Sequence, residues 1–363
     1  MGQFILCYNY NTKHYIVNAG LLLWEGQHPG KISKLYIKIC KKGNASQVTP
    51  VVRSQFTKIW HNPMAVSQDT IWEKFLAPVV RRFINEEELR RYYESIDWQK
   101  ESDRFRRPDV TIPSYYSSEN FHGIKEGYLN PGAAVSYDPI TQYVLPPNET
   151  LIRQGLINAV QGQPRRILDL GCGTGSTTLM LKQAFPQAEV VGLDLSPYML
   201  VRAEHKAKAA GLDIQWRHGD AEKTGLSNAS FDLVTASLLF HETPPAVSQL
   251  ILHSCFRLLK VGGEVLILDG NQKALRHLDW LNNVFEEPYI RAFAAGSVDA
   301  WMGAAGFEAV QTQDLWLIHQ VTRGVKPIPI EETSDYADSA RRDVQQYAPT
   351  TDSTDLEGFP VPA

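Results

Sequence analysis

Apolar positions change their period along this chain, and the changes mark its elements. Residues 167–170 hold three apolar residues in four, the short run of a strand covered on both faces. Leu179, Met180, Leu181 and Phe185 then recur at helical spacing, which predicts a helix over 176–185. The alternation continues. A second strand over 189–193 ends at Asp194. Ser196 caps a helix with Pro197 in its first position, which runs to residue 210 and stops at Gly211. Ile214, Trp216 and His218 alternate as a third strand that ends at Gly219-Asp220, and 231–236 reads as a fourth. Pro244-Pro245 opens a helix through Leu258 that Gly262-Gly263 closes, before a fifth strand over 265–268 ends at Asp269. Some helical turns between 278 and 295 follow, then a helix capped by Ser297. Segments 307–312 and 315–321, joined around Asp314, predict an antiparallel pair. Strands alternating with helices predict a parallel sheet with right-handed crossovers.

The segment before this core reads differently. Ile71, Trp72, Phe75, Leu76 and Val79 predict a helix after Ser67 and Asp69, ended or kinked at Pro78. Asn85 before Glu86, Glu87 and Glu88 predicts a second helix start, a cap followed by acids at the positive helix end, with Leu89, Tyr92, Tyr93 and Ile96 as the helix's apolar face. Over 103–147, Pro108, Pro113, Pro131, Pro139, Pro146 and Pro147 are expected to break any long element. The aromatics between them, with Tyr128 and Tyr137 among them, must bury themselves on something. They predict a strap across the core, a lid over a site, or both. Asn148 caps a helix toward residue 160.

Composition narrows the class. An apolar fraction of 43% with 21% charged residues fits a water-soluble globular chain, and 363 residues suffice for two domains or one elaborated domain. A net charge of -4 gives no overall basic footprint for nucleic acid. Residues 1–63 are basic, with Glu25 their single acid. Three readings of that segment stay open: a small basic domain, a targeting presequence, or a poorly structured extension upstream of the natural start. The clean amphipathic segment after Met64 favours the last. Cys7, Cys40, Cys172 and Cys255 show no C-x-x-C spacing, which argues against a zinc site or a disulfide framework and for a reducing, cytoplasmic setting. No apolar run approaches the ~18 residues of a membrane span.

The chemistry gathers at the strand ends. Asp169 precedes Gly171, Gly173 and Gly175 in a D-x-G-x-G-x-G run between strand and helix, where glycines let a ligand approach backbone amides. Position 176 is Ser, where the dinucleotide fingerprint wants Gly. Asp194 can accept both hydroxyls of a ribose, and Asp220 ends the third strand. The run resembles motif I of the class I S-adenosylmethionine (SAM)-dependent methyltransferases. ILDLGCGTG, VVGLDLSPYML, HGDAEKTGLSNASFDLVTASLLFHE and LLKVGGEVLILD together resemble the type 11 subgroup, which includes quinone C-methyltransferases.

The resemblance implies a Rossmann-like α/β fold: a seven-stranded, mostly parallel sheet with helices on both faces and an antiparallel strand at its C-terminal end. An N-terminal helical and aromatic extension precedes it. It places SAM against Asp169, Gly171, Cys172, Gly173, Gly175, Asp194, Leu195, Asp220, Ala221, Ser237 and Leu238. Cys172 reads as packing rather than nucleophile. His241 and Glu242, at the mouth of the site, are the candidates for a general base, with a structural role for His241 the competing reading. Tyr128, Tyr137, Asp269 and His277 are candidates to face the acceptor. HETPP fails the H-E-x-x-H pattern, so no metal is expected. The Asn/Asp-Pro-Pro-Tyr/Phe segment of nucleic-acid amino-methyltransferases is absent, which favours a small-molecule acceptor.

The expected domains are an extension over 1–63, a strap or lid region over 64–147, a SAM-binding domain over 148–325 and a tail over 326–363, largely disordered at its end. The expected function is methyl transfer from SAM to an oxygen or carbon. An NAD-dependent oxidoreductase and a non-catalytic SAM-binding protein are the alternatives.

Overall fold

The computed structural model describes residues 6–10, 13–18, 38–40, 84–121, 124, 127–144, 147–278, 287–316 and 318–329. The chain divides into two compact units, Met1–Ile59 and Trp60–Ala363. In the first, β1 (Leu6–Tyr10), β2 (Lys13–Asn18) and β3 (Lys38–Cys40) pair antiparallel in that order. The helix expected after Ser67, the break at Pro78 and the end of the tail lie outside the described residues.

The second unit is built on a seven-stranded sheet. Its strands are β4 (Arg166–Leu170), β5 (Glu189–Asp194), β6 (Gln215–His218), β7 (Phe231–Ser237), β8 (Leu259–Gly270), β9 (Glu308–Leu315) and β10 (His319–Val325). The order across the sheet is β6-β5-β4-β7-β8-β10-β9. β4 to β8 run parallel, while β10 pairs antiparallel with β8 and β9. The chain leaves β4 toward β5 and returns to β7 on its other side, so the switch point lies at the end of β4.

Alternate residues of each strand enter opposite cores. Leu168, Leu170, Val191, Leu193, Val265 and Ile267 pack on one face; Ile167, Val190, Leu233, Leu266 and Leu268 pack on the other. Burying each such side chain contributes about 1.5–3 kcal/mol. Helices cover both faces: α5 (Glu149–Ala159), α6 (Ser176–Ala184), α7 (Pro197–Ala209), α8 (Pro245–Leu258), α9 (Gln272–Leu275), α10 (Ile290–Ala295) and α11 (Val298–Ala304).

Before them come α1 (Glu86–Glu94), α2 (Trp98–Asp103), α3 (Ser114–Ser117) and α4 (Pro131–Val144). Asn85 caps α1 as expected, its side chain accepting from the Glu88 amide at 3.2 Å. Trp98, Phe121, Tyr128 and Ala133 to Val135 form a third apolar cluster with Met199 and Val201 of α7. Polar contacts reinforce this docking. Arg104 meets Glu204 at 3.0 Å, and the Tyr92 hydroxyl meets His205 Nδ1 at 2.9 Å.

Four expectations are corrected. Prolines do not prevent a long element over 103–147, because α4 is a 14-residue helix with Pro139 inside it. Pro131 occupies its first position, where no amide is needed, and the Thr141 hydroxyl donates to the carbonyl of Tyr137 at 3.0 Å. Burial of Ala133 and Ala134 outweighs the lost backbone bond. The apolar face expected over 89–96 belongs to a helix that ends at Glu94, and Asp97 caps a new one. Gly262-Gly263 do not close α8. They lie within twelve-residue β8, where the pairing jumps from Phe231↔Leu259 to Leu233↔Glu264. Gly262, at φ +76°, allows that bulge. Asp314 is in β9 rather than at the turn of the last hairpin, and its side chain accepts from Asn271 at 2.9 Å.

Candidate functional site

The end of β4 runs into a loop of left-handed glycines. Gly171, Gly173 and Gly175 have φ of +60°, +53° and +79°, a region that disfavours any side chain. A Cβ at 171 would lie 2.9 Å from Leu239, and one at 175 would lie 2.6 Å from Trp216. At 173 a Cβ would meet nothing within 4 Å. Two of the glycines therefore let the loop pack, and Gly173 faces open space where a ligand can reach the backbone. The Cys172 thiol is buried and pushed up in pKa by that burial, which makes it a packing group.

The three expected carboxylates have different surroundings. Asp194, at the end of β5, accepts from the amide of Gly173 at 2.7 Å and of Ser196 at 2.8 Å. Burial raises its pKa to about 6 against the pull of those amides. Leu195 turns its carbonyl to His218 Nε2 at 3.0 Å. Asp169 is 1% exposed and points into the protein. It accepts from Thr178 at 2.6 Å and Thr235 at 2.7 Å, tying α6 to β7 beneath the loop. Asp220 is partly exposed and closes the turn after β6 by accepting from the Glu222 amide at 2.9 Å. Ala221 packs on the core beside it.

Sequence reasoning missed what lies over the loop and against it. Asp138 of α4 accepts from Thr174 and stands 3.4 Å from the Ser176 hydroxyl, at the start of α6. Lys206 of α7 reaches Asp138 and Ser176 at 2.9 Å each. The strap helix is thus fastened to the glycine loop. A second chain of contacts starts in α5. Glu149 and Arg153 form a buried ion pair at 2.6 Å, Arg153 donates to Thr177 at 2.6 Å, and Thr177 donates to Ser237 at 3.1 Å. The i,i+4 spacing of Glu149 and Arg153 was legible in the sequence; their burial was not.

After β7 the backbone is strained. Leu238 has φ +57° and donates its amide to Leu268 at 2.7 Å. A short turn at Phe240–Glu242 follows. Asp269, at the end of β8, holds that turn by accepting from the Phe240 amide at 2.8 Å and from His241 Nδ1 at 2.7 Å. A carboxylate only accepts, so Nδ1 carries a proton, and Nε2 lies 4.0 Å from Glu242 Oε1. Burial alone would lower the pKa of His241, but Asp269, with Glu242 and Glu287, raises it to about 10.

Tyr128 donates to Glu242 at 3.1 Å, and its ring meets Tyr137 edge-on at 5.6 Å. Glu287 brings a third group to His241 and Glu242: one ligand atom from each lies within 4.8 Å of the others. Of the expected acceptor-facing residues, the structure unites Tyr128, Tyr137 and Asp269 with His241 and Glu242. His277 instead lies exposed beyond α9.

Residues 167–263 match a family model described as a methyltransferase domain. A demethylmenaquinone methyltransferase of Thermus thermophilus is 38% identical over 117 residues, 32% of this chain and 52% of that protein. A demethylmenaquinone methyltransferase of Lactococcus lactis is 33% identical over 159 residues, 43% of this chain and 59% of that protein. A malonyl-[acyl-carrier protein] O-methyltransferase of Methylococcus capsulatus is 29% identical over 211 residues, 56% of this chain and 72% of that protein. The chain spans about half the length of the Thermus relative. Among the described residues no helix is long and apolar enough to cross a membrane.

Proposed function

We propose that this protein transfers a methyl group from SAM to an oxygen or carbon of a small-molecule acceptor. The observation that carries the reading is the open backbone at Gly173, in the loop after the central strand, beside the half-buried carboxylate of Asp194 at the end of β5. That pair fits a nucleoside: backbone for close approach, carboxylate for ribose hydroxyls. Gly171, Gly175 and Cys172 shape the loop, and Asp169 fixes it from below. Asp220 and Ala221 stand where an adenine would lie, while Ser237 and Leu238 offer backbone at the other end.

The same neighbourhood disfavours the dinucleotide alternative. A pyrophosphate needs the start of the helix after the first strand. There Asp138 already places a carboxylate against Thr174 and Ser176. The Asp138–Lys206 pair already occupies the hydroxyls that a pyrophosphate would need.

Bound SAM supplies an electrophilic methyl group: the C–S bond breaks with its electron pair kept by sulfur, while the acceptor's own pair forms the new bond. The protein's part is mainly alignment and the exclusion of water. His241 and Glu242 offer an imidazole nitrogen and a carboxylate oxygen to an acceptor lying between them, with Asp269 and Tyr128 fixing their directions. Tyr128 and Tyr137 make the strap an aromatic cover for an apolar acceptor. This reading divides the chain at about residue 148 into strap and methyltransferase domain. It places the protein in a reducing, cytoplasmic compartment, in keeping with buried free thiols at Cys172 and Cys255. It assigns no nucleic-acid partner.

Calorimetry with SAM and with NAD tests the cofactor. Binding of SAM and not NAD is expected, and the reverse would sink the proposal. Labelled SAM incubated with cell extract then identifies the molecule that gains the methyl group. A protein that binds SAM and labels nothing would be the non-catalytic alternative.

A further inference from the structure

We propose that His241, Glu242 and Glu287 form a binding site for one divalent transition-metal ion at the acceptor end of the cleft. A ring nitrogen of His241 and one carboxylate oxygen from each glutamate lie within 4.8 Å of one another, and Nε2 stands 4.0 Å from Glu242. His241 and Glu242 are largely buried, with side chains 14% and 12% exposed, and Glu287 is buried at 6%. Converging donors in a buried setting are what a coordination site requires. Donor atoms around a filled site, with bonds of about 2.1 Å, stand roughly 3–3.5 Å apart. Binding the ion would draw the three donors together.

The surroundings are arranged as they are behind a metal-bound histidine. Asp269 accepts from Nδ1 at 2.7 Å and from the Phe240 amide at 2.8 Å, so ring and backbone are fixed together with Nε2 on the side of Glu242. A carboxylate behind a ligating imidazole sets its tautomer and strengthens it as a donor. Tyr128 fixes Glu242 in the same way. Behind them His319, 3% exposed, feels the charges of Asp269 and His241, and its buried Nδ1 has no hydrogen-bond partner among the described residues.

One imidazole and two carboxylates, with no thiolate, suit Mn²⁺ or Zn²⁺ better than Cu⁺ or a purely oxygen-seeking ion. The pattern escapes sequence reading because HETPP places only two donors together. The third stands 45 positions beyond Glu242, with no motif linking them. The inference rests on the proposed methyl transfer for its use. Three protein ligands leave positions open, and an acceptor hydroxyl bound there would release its proton to water more readily. The acceptor class is then a molecule that presents an oxygen ligand, such as a phenol, an enol or a vicinal diol.

The full-length protein, stripped with chelator and dialysed, would be titrated with MnCl₂ and with ZnCl₂ by calorimetry, and SAM would be titrated separately. One equivalent of either metal per chain is expected. Glu287→Gln should weaken metal binding tenfold or more, with SAM affinity kept near that of the parent. Three results would overturn the site: no stoichiometric metal, unchanged affinity in Glu287→Gln, or a pocket that takes ethylammonium but neither metal. Because SAM binding is read independently, loss of the metal site and loss of the methyltransferase reading are separate outcomes.

Discussion

Asp138 and Lys206 meet at 2.9 Å directly beside the hydroxyls of Thr174 and Ser176, joining the strap helix to the glycine loop. The two residues come from helices on either side of the loop in sequence. Arg202 approaches the same carboxylate at 3.5 Å. Burial alone would raise the pKa of Asp138, but Lys206, Thr174 and Arg202 hold it below the usual aspartate range. The strap is therefore tied to the glycine loop, and its docking and the loop's shape should respond together.

Asp138→Asn should cost about 1–3 kcal/mol in urea denaturation, since Lys206 is left in a mostly buried position without its counter-charge. A depressed carboxylate stabilises the fold above its unfolded pKa of about 3.9 and loses that contribution as pH falls through the lower folded value. The variant should accordingly lose part of the wild-type decline in stability below pH 4. SAM affinity should fall with it, and equal affinity in parent and variant would separate the strap from the site.

Two glycines of the same loop should respond oppositely to alanine. Gly175→Ala meets Trp216 at 2.6 Å as well as a φ of +79°, so melting temperature should drop by several degrees. Gly173→Ala meets open space, and its cost in stability should be limited to about 1–2 kcal/mol of backbone strain. Its cofactor affinity should fall at least tenfold, because the new methyl group stands where the ligand approaches. Melting curves beside calorimetry distinguish the two effects.

Asp194 should make SAM binding pH-dependent. Its pKa is pushed up to about 6, so the carboxylate needed to accept ribose hydroxyls is lost as pH falls through that value. Affinity should be flat above pH 7 and about tenfold weaker at pH 5. Asp194→Asn should bind about 1–3 kcal/mol more weakly at pH 7.5 and show a flatter profile. The folded protein holds this proton up to higher pH than the unfolded chain does. Its linkage with stability therefore runs downward between about pH 4 and pH 6, the opposite sign to Asp138.

Arg153→Met should be among the most destabilising single changes near the loop. It leaves Glu149 7% exposed with its ion pair gone and removes the donor to Thr177. A loss of about 3–5 kcal/mol is expected in chemical denaturation. If the double variant Glu149→Leu/Arg153→Met recovers most of it, the cost lies in the stranded carboxylate rather than in the loop.

Local pattern was enough for the order of strands and helices, the glycine loop, the caps at Asn85, Ser196 and Asn148, and the acids at the strand ends. Each depends on residues a few positions apart, whose spacing matches the period of the element they build. It was not enough for helix Pro131–Val144, where burial overrode the prolines, or for the bulge at Gly262. It also could not tell that Asp169 points inward to Thr178 and Thr235 while Asp194 borders the loop. Only tertiary structure decided which groups act together. Pairing of Ser237 with Leu268 in the sheet sets Asp269 against the turn that carries His241. Docking of α4 brings Asp138 to Lys206, 68 residues away. A hydrogen bond or ion pair acts only over a few ångströms, and for residues so far apart in sequence that closeness is fixed by packing and sheet register, which no local spacing encodes.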